Sequence, residues 1–583
     1  MQMNVKDGLK CCFAIVDGDV VAVGVQTRSA RRPGDPLADG GHTCHGLGRR
    51  IGEVDGVTLG DDERVAPGER ADVEKGEVVG VLEDSYRRRL AGDDGAEHAG
   101  HAVTLVECPR STASRRRMAD VNPEELAFAG AGQQARLLVE GAITAPTLVD
   151  MYLNRIAALD PILRCYRVVM ADSARLQAAE AQNRLDAGER LPLLGVPIAI
   201  KDDVDIAGQV TAYGSAAHGP ARTRDAEVVR LLRAAGAVVL GKTAVPEMMI
   251  WPFTETVTYG ATRNPYNTDL TPGGSSGGSG AAVAAGLAAL ALGSDGMGSI
   301  RIPSTWCGLF GIKPQRDRVP LAPHDDAWNG LSVNGPLART VEDAALFLDA
   351  TTTLPGPEGG YIGAARRPPG RLRIALSTKV PAPLLARVGR AQRCAVSEAG
   401  ALLRELGHQV VERDPDYPPA ALYAQALPRY FRGARDDVAM LPHPERLDPR
   451  TRSFARVGRL FSDRRMRRIR AAEGELTARI LSIFDDVDVV ITPGTATGPS
   501  RIGAYQRRGA IATLALVSGR VPFQAMANVT GQPAAVVPWG QEPSGVPTSI
   551  QLVGRPCDED TLVSLSAQIE QARPWGQRRP AVS

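Results

Sequence analysis

Four serines and one lysine stand where hydroxyl chemistry could be done. Ser275 and Ser276 lie between two glycine pairs, Gly273-Gly274 and Gly277-Gly278. Ser294 and Ser299 lie in a second glycine-rich turn that runs Gly293-Ser294-Asp295-Gly296-Met297-Gly298-Ser299. Glycine lets a chain turn sharply and lets another group approach the backbone closely. A serine in such a turn can be a nucleophile, or can aim its hydroxyl and backbone N–H at a reacting oxygen. Lys201 closes a short apolar run, Leu194-Gly195-Val196-Pro197-Ile198-Ala199-Ile200-Lys201. A lysine leaving a buried strand is partly desolvated, which lowers its pKa, and a neutral lysine can act as a general base. The ordinary alternative is a surface lysine paired with Asp202 or Asp203, and the run alone leaves that open.

Two lookalikes compete for the first serine turn. Glycine and serine together also make flexible linkers. Here the turn continues into the apolar stretch 281–292, which is almost wholly Ala, Leu and Val. Linkers do not run into core segments. That stretch is too short to span a bilayer and reads as a buried helix. Gly273-Gly274-Ser275-Ser276-Gly277 also fits G-x-S-x-G, the nucleophile elbow of α/β-hydrolases. That elbow needs a strand before it and an acid, then a histidine, after it. The preceding residues, Asn264-Pro265-Tyr266-Asn267-Thr268-Asp269, are turn formers, and His324, His408 and His443 have no persuasive setting.

The elements around these residues alternate between strand and helix. Strands are predicted at 194–202, 237–240, 308–312, 372–376, 487–492, 534–537 and 549–553. Helices are predicted at 144–160, capped by Thr144 and stopped at Asp160-Pro161, and at 171–187, 225–235, 340–350, 383–406 and 561–571. Strands alternating with helices indicate an α/β domain. Residues 415–470 are the least regular part of the body and are rich in arginine, including Arg464, Arg465, Arg467, Arg468 and Arg470. Such a run can touch nucleic acid. Here it reads as a solvated helix face with Met466 and Ile469 turned inward.

Bulk composition sets the class. The chain has 583 residues, 43% hydrophobic and 23% charged, which is ordinary for a soluble globular protein. A net charge of +2 implies no polyanionic partner. No segment is long and apolar enough for a membrane helix, and no signal-peptide apolar region opens the chain, so a cytoplasmic location is expected. Eight cysteines in a chain of this length do not make a disulfide framework, and Cys165, Cys307, Cys394 and Cys557 are expected to be reduced.

Residues 1–117 differ from the rest. They hold four of the eight cysteines and four of the eight histidines, with 20 acidic against 17 basic residues. Only residues 13–25 suggest structure, a hairpin turning at Gly18-Asp19. His42, Cys44 and His45 with His98 and His101 are metal-binding residue types, but their spacing matches no ordinary zinc pattern. The segment is expected to be an irregular, poorly ordered extension. Met118, after Arg115-Arg116-Arg117, reads as the natural start of a catalytic domain over 118–583.

The body resembles the amidase signature family. The matching blocks are Gly195-Val196-Pro197-Ile198-Ala199-Ile200-Lys201-Asp202, Gly241-Lys242-Thr243, Asn264-Pro265-Tyr266 and the whole stretch 273–303. They continue with Gly311-Ile312-Lys313-Pro314, Thr492-Pro493, Asn528-Val529-Thr530-Gly531-Gln532-Pro533 and Gln551-Leu552-Val553-Gly554, in family order. The resemblance implies one catalytic domain with a central mixed, twisted β-sheet flanked by α-helices. It implies Ser299 as the acyl-forming nucleophile. Ser275, after a cis peptide bond, is the bridging serine, and Lys201 is the base. Burial would have to lower the lysine from about 10.4 toward about 7 to 8. The backbone N–H groups of Gly296, Met297, Gly298 and Ser299 would form the oxyanion hole, with Ser276, Asp295 and Arg301 in support. Many members carry glycine at the position of Met297; its N–H survives the change, and its side chain is expected to line or narrow the pocket. Ser276 and Ser294 are local competitors of Ser275 and Ser299 and rank as structural.

The expected activity is hydrolysis of a carboxylic acid amide through a covalent acyl-enzyme, with water as second nucleophile. No metal or organic cofactor is called for. The expected partner is a small-molecule amide, with no nucleic acid and no membrane anchor; a homodimer is compatible with the residues but not read from them. One rival is the glutaminase subunit of the tRNA-dependent amidotransferase, whose nucleophile turn usually continues Ile-Arg-Gln-Pro. Here it continues Ile300-Arg301-Ile302-Pro303, which favours a stand-alone amidase. The other rival is a non-enzymatic binding relative, which would be expected to lose Lys201, Ser275 or Ser299. The pocket should draw on 415–470 and the loop around Pro323 to Asn329, where His324, Asp325 and Asp326 are conceivable pocket groups.

Overall fold

A computed structural model describes residues 2–4, 10–16, 19–24 and 122–583. The chain divides into two units, Met1–Arg110 and Ser111–Ser583. In the first, β1 (Gln2–Asn4), β2 (Lys10–Val16) and β3 (Asp19–Gly24) form an antiparallel sheet in that order. The expected hairpin is β2–β3. Val16 pairs with Asp19, so Asp19 belongs to a strand and not to the turn. His42, Cys44, His45, His98 and His101, and the expected boundary at 117, lie outside the described residues.

The second unit is built on one sheet of eleven strands. In chain order these are β4 (Tyr166–Val169), β5 (Pro197–Lys201) and β6 (Val238–Thr243). After a small ribbon of β7 (Glu255–Thr256) and β8 (Gly260–Ala261) come β9 (Leu290–Asp295), β10 (Phe310–Lys313), β11 (Val333–Ala338) and β12 (Arg373–Leu376). The rest are β13 (Gln409–Glu412), β14 (Val489–Pro493), β15 (Ala534–Gln541) and β16 (Pro547–Gly554). Their order across the sheet is β13-β12-β14-β16-β15-β10-β11-β9-β5-β6-β4. The sheet is mixed: β5 runs parallel to both β6 and β9, while β9, β11, β10, β15, β16 and β14 alternate in direction. Every residue of β5, β6, β9, β10 and β11 is buried. Strands covered on both faces read as continuous apolar runs, which is why these were visible in the sequence.

The helices that matter for the site follow the chain. They are α1 (Ala145–Leu163), α2 (Ala171–Asp186), α3 (Glu227–Ala234), α4 (Gly277–Ala284) and α5 (Arg301–Cys307). Next come α6 (Val341–Thr351), α7 (Arg390–Glu405), α8 (Leu427–Ala439), α9 (Pro449–Gly458) and α10 (Asp463–Ala471), then α11 (Ala525–Thr530) and α12 (Glu559–Ala572). Among the described residues no helix is long and apolar enough to cross a membrane.

Four expectations are corrected. The apolar stretch 281–292 is not one helix. α4 ends at Ala284, Gly286 turns the chain at φ +66°, and Leu290–Asp295 is the strand β9 between β5 and β11. Both pieces are fully buried, so neither leaves a polar face to betray its period. The helix predicted over 383–406 begins only at Arg390, because Gly389 holds extended dihedrals (φ −63°, ψ 161°). α1 does not stop at Asp160-Pro161 but carries Pro161 in its last turn and ends where Arg164 adopts φ +53°. Residues 415–470 are mostly helical, and they build a second apolar core. Leu422, Tyr430, Phe431 and Phe454 pack there with Trp251, Phe253 and Trp328. On α10, Met466 is buried and Arg464, Arg465, Arg467 and Arg468 are exposed, the arrangement of a solvated face.

α6 illustrates how local chemistry fixes an element. The Thr340 hydroxyl accepts from the Asp343 N–H at 3.1 Å, and the Asp343 carboxylate accepts from the Thr340 N–H at 3.3 Å, a reciprocal cap on two otherwise unpaired donors. Val341, Ala344, Phe347 and Leu348 then face the core. Thr340→Ala should lower unfolding stability by about 1 kcal/mol in a urea titration, whereas Thr340→Ser should stay near wild type.

Candidate active site

Lys201 is the last residue of β5, and its side chain is completely buried. With β6 on one side and β9 on the other, it cannot reach bulk water. Its ammonium nitrogen lies 2.8 Å from Ser275 Oγ, 2.6 Å from Ser294 Oγ and 3.1 Å from Asp203 Oδ2. Ser294 Oγ in turn donates to Asp203 Oδ2 at 2.6 Å. Burial pulls the Lys201 pKa below its ordinary value, and the Asp203 carboxylate works in the opposite direction. Asp202 takes other partners: Lys242 at 3.0 Å and the Arg167 guanidinium. The pairing expected of a surface lysine therefore exists, through Asp203, but in the interior.

Ser275 is buried, and the Gly274–Ser275 peptide is cis. The turn needs glycine at 274, because a Cβ there would lie 2.6 Å from the Trp251 carbonyl oxygen. Ser276 stitches the two serine turns together. Its N–H donates to the Ser299 carbonyl at 3.2 Å and its hydroxyl to the Ser294 carbonyl at 3.2 Å. Ser299 is half-buried, and its hydroxyl makes no hydrogen bond with another described residue, Ser275 included.

The turn that carries Ser299 is fixed by a buried ion pair. Asp295 and Arg301 are both fully buried. Arg301 Nε lies 3.0 Å from Asp295 Oδ2 and Arg301 Nη2 lies 3.0 Å from Oδ1. The Asn528 amide donates to Asp295 Oδ1 at 2.9 Å, and Arg301 reaches Asn528 Oδ1 at 2.6 Å and Gln551 Oε1 at 2.9 Å. Burial opposes the Asp295 charge, yet Arg301 and the Asn528 amide hold its carboxyl well below the usual carboxylate range. The same carboxylate accepts the N–H groups of Gly298 at 2.6 Å and Ile300 at 3.2 Å.

That geometry corrects one expected donor. The Gly298 N–H is committed to Asp295 and is not free for a substrate oxygen. The N–H groups of Gly296, Met297 and Ser299 have no partner among the described residues. Gly298 is instead required for shape: its φ is +109°, and a Cβ would lie 2.5 Å from Gln524 Cγ. Met297 is half-buried and packs on the second core.

The sequence ranked Ser294 as structural, offered Asp203 only as a surface partner of Lys201, and did not single out Trp328. Asp203 pairs with Lys201, Ser294 bridges them, and Trp328 covers Gly296, where a Cβ would lie 2.6 Å from its Cε3. Two carboxylates in succession after a strand-end lysine were the available signal for Asp203. His324, Asp325 and Asp326, the groups named from that loop, are exposed. Among the described residues no group of three or more His, Cys, Asp or Glu is arranged to hold a metal ion.

A family model described as Amidase matches residues 147–563. The chain belongs to the amidase signature family. It is 69% identical over 463 residues to the Mycobacterium tuberculosis protein named "Putative amidase AmiB2", a match covering 79% of this chain and 100% of that one. A solved 6-aminohexanoate cyclic dimer hydrolase is similar at TM-score 0.71 and 28% identity, over 79% of this chain and 100% of its own. A peptide amidase from Stenotrophomonas maltophilia is similar at TM-score 0.66 and 28% identity, over 77% of this chain and 98% of its own. The mixed sheet with flanking helices is the fold of this amidase family, and the chain is a hydrolase of C–N amide bonds.

The buried pair gives a direct test of how the amidase is held together. Arg301→Met keeps the side-chain length and removes the cation, leaving Asp295 charged and unpaired. Denaturant unfolding should show a loss of about 3–5 kcal/mol. Asp295→Asn combined with Arg301→Met should recover part of it, since no bare charge remains.

Proposed function

We propose that this amidase converts carboxylic acid amides to acid and amine through an acyl-enzyme on Ser299, with Ser275 and Lys201 moving the proton. The observation that supports this most strongly is the 2.8 Å hydrogen bond between Lys201 Nζ and Ser275 Oγ, in a setting where the lysine has no water. A hydroxyl is a poor nucleophile until a base removes its proton. Lysine is such a base only when neutral, and burial favours the neutral form.

Ser299 Oγ attacks the amide carbon, its proton passes to Ser275 Oγ, and the Ser275 proton passes to the neutral Lys201 amine. The developing oxyanion is met by backbone N–H groups at Gly296, Met297 and Ser299, worth about 2.7–4 kcal/mol for a single well-placed donor. The proton then returns through Ser275 to the leaving nitrogen, the C–N bond breaks, and an ester to Ser299 remains. Water attacks that ester by the same relay in reverse, releasing the acid and restoring the free hydroxyl. Asp203 opposes the neutral form of Lys201, and Ser294 bridges the two.

Ammonia release from a panel of short aliphatic, aromatic and amino-acid amides tests the reading on the full chain. Ser299→Ala should lose at least about 10⁴-fold in kcat and should abolish labelling by a fluorophosphonate probe. Lys201→Ala should lose about 10²–10⁴-fold. Turnover by Ser299→Ala at the wild-type rate would sink the acyl-enzyme.

The pH profile tests the role of Asp203. Activity needs neutral Lys201, so the acid limb of kcat/KM sits at its pKa. The Asp203 anion favours the charged lysine and raises that pKa. Asp203→Asn removes the anion, keeps an acceptor for Ser294, and should move the acid limb to lower pH. An unmoved or raised limb would exclude Lys201 as the titrating base.

A further inference from the structure

One carboxylate beside the Ser299 turn has no cation among the described residues. Asp437, on α8, is half-buried, and its Oδ2 accepts the Trp328 indole N–H at 2.7 Å. Its Oδ1 has no hydrogen-bond partner among the described residues. The three basic residues of its own helix are used elsewhere: Arg432 and Arg435 pair with Asp436, and Arg429 pairs with Glu473. Trp328 spans the gap to the reacting centre. One edge of the indole lies on Gly296, another on Gly433 of α8, and the Tyr430 ring stands 5.0 Å from it. Across the site, Asp203 is already matched by Lys201, and its Oδ1 is buried without a partner. Burial raises the half-buried Tyr213 phenol, and the charges of Asp205, Arg222, Asp203 and Asp437 act on it as well.

A carboxylate in such a place is out of balance. Burial pushes the Asp437 carboxyl up to about 7, with the charges of Asp436 and Asp203 adding to the shift and the Trp328 N–H opposing it. An arriving cation would correct this. From this geometry we infer that Asp437 determines specificity by pairing with an alkylammonium group on the acyl chain of the substrate. The inference rests on the hydrolytic reading of Ser299. The acyl chain is the side selected, because the leaving nitrogen must face Ser275 and Lys201 to collect its proton. The Trp328–Asp437 wall stands instead on the Gly296 side of the turn.

The comparison that decides this uses ω-amino primary amides of increasing chain length against n-alkyl primary amides of matching length. At the best chain length, wild type should show kcat/KM about tenfold higher for the ammonium-bearing amide, a difference of about 1.4 kcal/mol. Asp437→Asn keeps an acceptor for the indole and should bring that ratio to about one. Asp437→Glu keeps the charge and should hold the ratio above that of the Asn variant. A second readout is independent of turnover. Calorimetric binding of the same amides to Ser299→Ala, with and without Asp437→Asn, should reproduce the preference and its loss. A ratio near one in wild type, or one unchanged by Asp437→Asn, overturns the inference even if Ser299 catalysis stands. A preference seen in binding but without Ser299-dependent turnover would uphold it while overturning the acyl-enzyme.

Discussion

A carboxylate and a guanidinium, both wholly removed from water, hold the centre of this molecule. Taking Asp295 and Arg301 out of solvent costs several kcal/mol per ion, and their attraction alone does not guarantee a return. The cost is met by completing every contact. Arg301 touches Asp295, Asn528, Gln551 and the Gln524 carbonyl, and so ties β9, α5, α11 and β16 together. Asp295 spends its remaining acceptor capacity on the N–H groups of the turn that follows it. The turn is therefore shaped by the ion pair, and the pair also decides which N–H groups remain for a substrate. Gly298 is consumed; Gly296, Met297 and Ser299 are left.

Lys201 and Lys242 show how one fold treats two buried lysines differently. They lie on neighbouring parallel strands, one pairing position apart, and both are fully buried. The consecutive acids Asp202 and Asp203 divide between them, Asp202 to Lys242 and Asp203 to Lys201. Burial lowers the pKa of both lysines and the acids oppose it in both. What separates them is the third partner. Lys242 bonds Thr211 and the Val210 carbonyl, whereas Lys201 bonds Ser275, on the glycine turn beside Ser299. The two nitrogens differ less in the direction of their pKa shifts than in the hydroxyl each one meets.

The sequence disclosed the catalytic half of the molecule better than the other half, for a physical reason. Strands β5, β6 and β9 are apolar on both faces, and turns around Ser275 and Ser299 demand glycine, so both leave strong marks. The same saturation hid the break between α4 and β9, because helix and strand look alike when no residue is polar. Asp203 was legible only as half of an ordinary alternative, a lysine paired with a neighbouring acid. Its burial was the missing fact, and burial of a loop residue has no local signature. Residues 415–470 were opaque because their inward faces mix aromatics with arginine. Arg429 is fully buried and Arg432 nearly so, which erases the polar-out, apolar-in rhythm of a helix.

That division also separates reaction from selectivity. Lys201 closes β5 and the Ser299 turn follows β9, where register and close packing leave few alternatives. The wall against Gly296 comes from the second core, through Trp328 and α8. Its contacts are aromatic edges and a single carboxylate on α8, and such contacts can change without disturbing β5 or β9. A relationship detected through the glycine turns therefore transfers the bond that is broken and leaves open the acyl group that is held. Beside the Ser299 turn the two halves meet at the face of Gly296, against which one indole ring rests, and Asp437 accepts that ring's N–H, so a difference in substrate would first be written there.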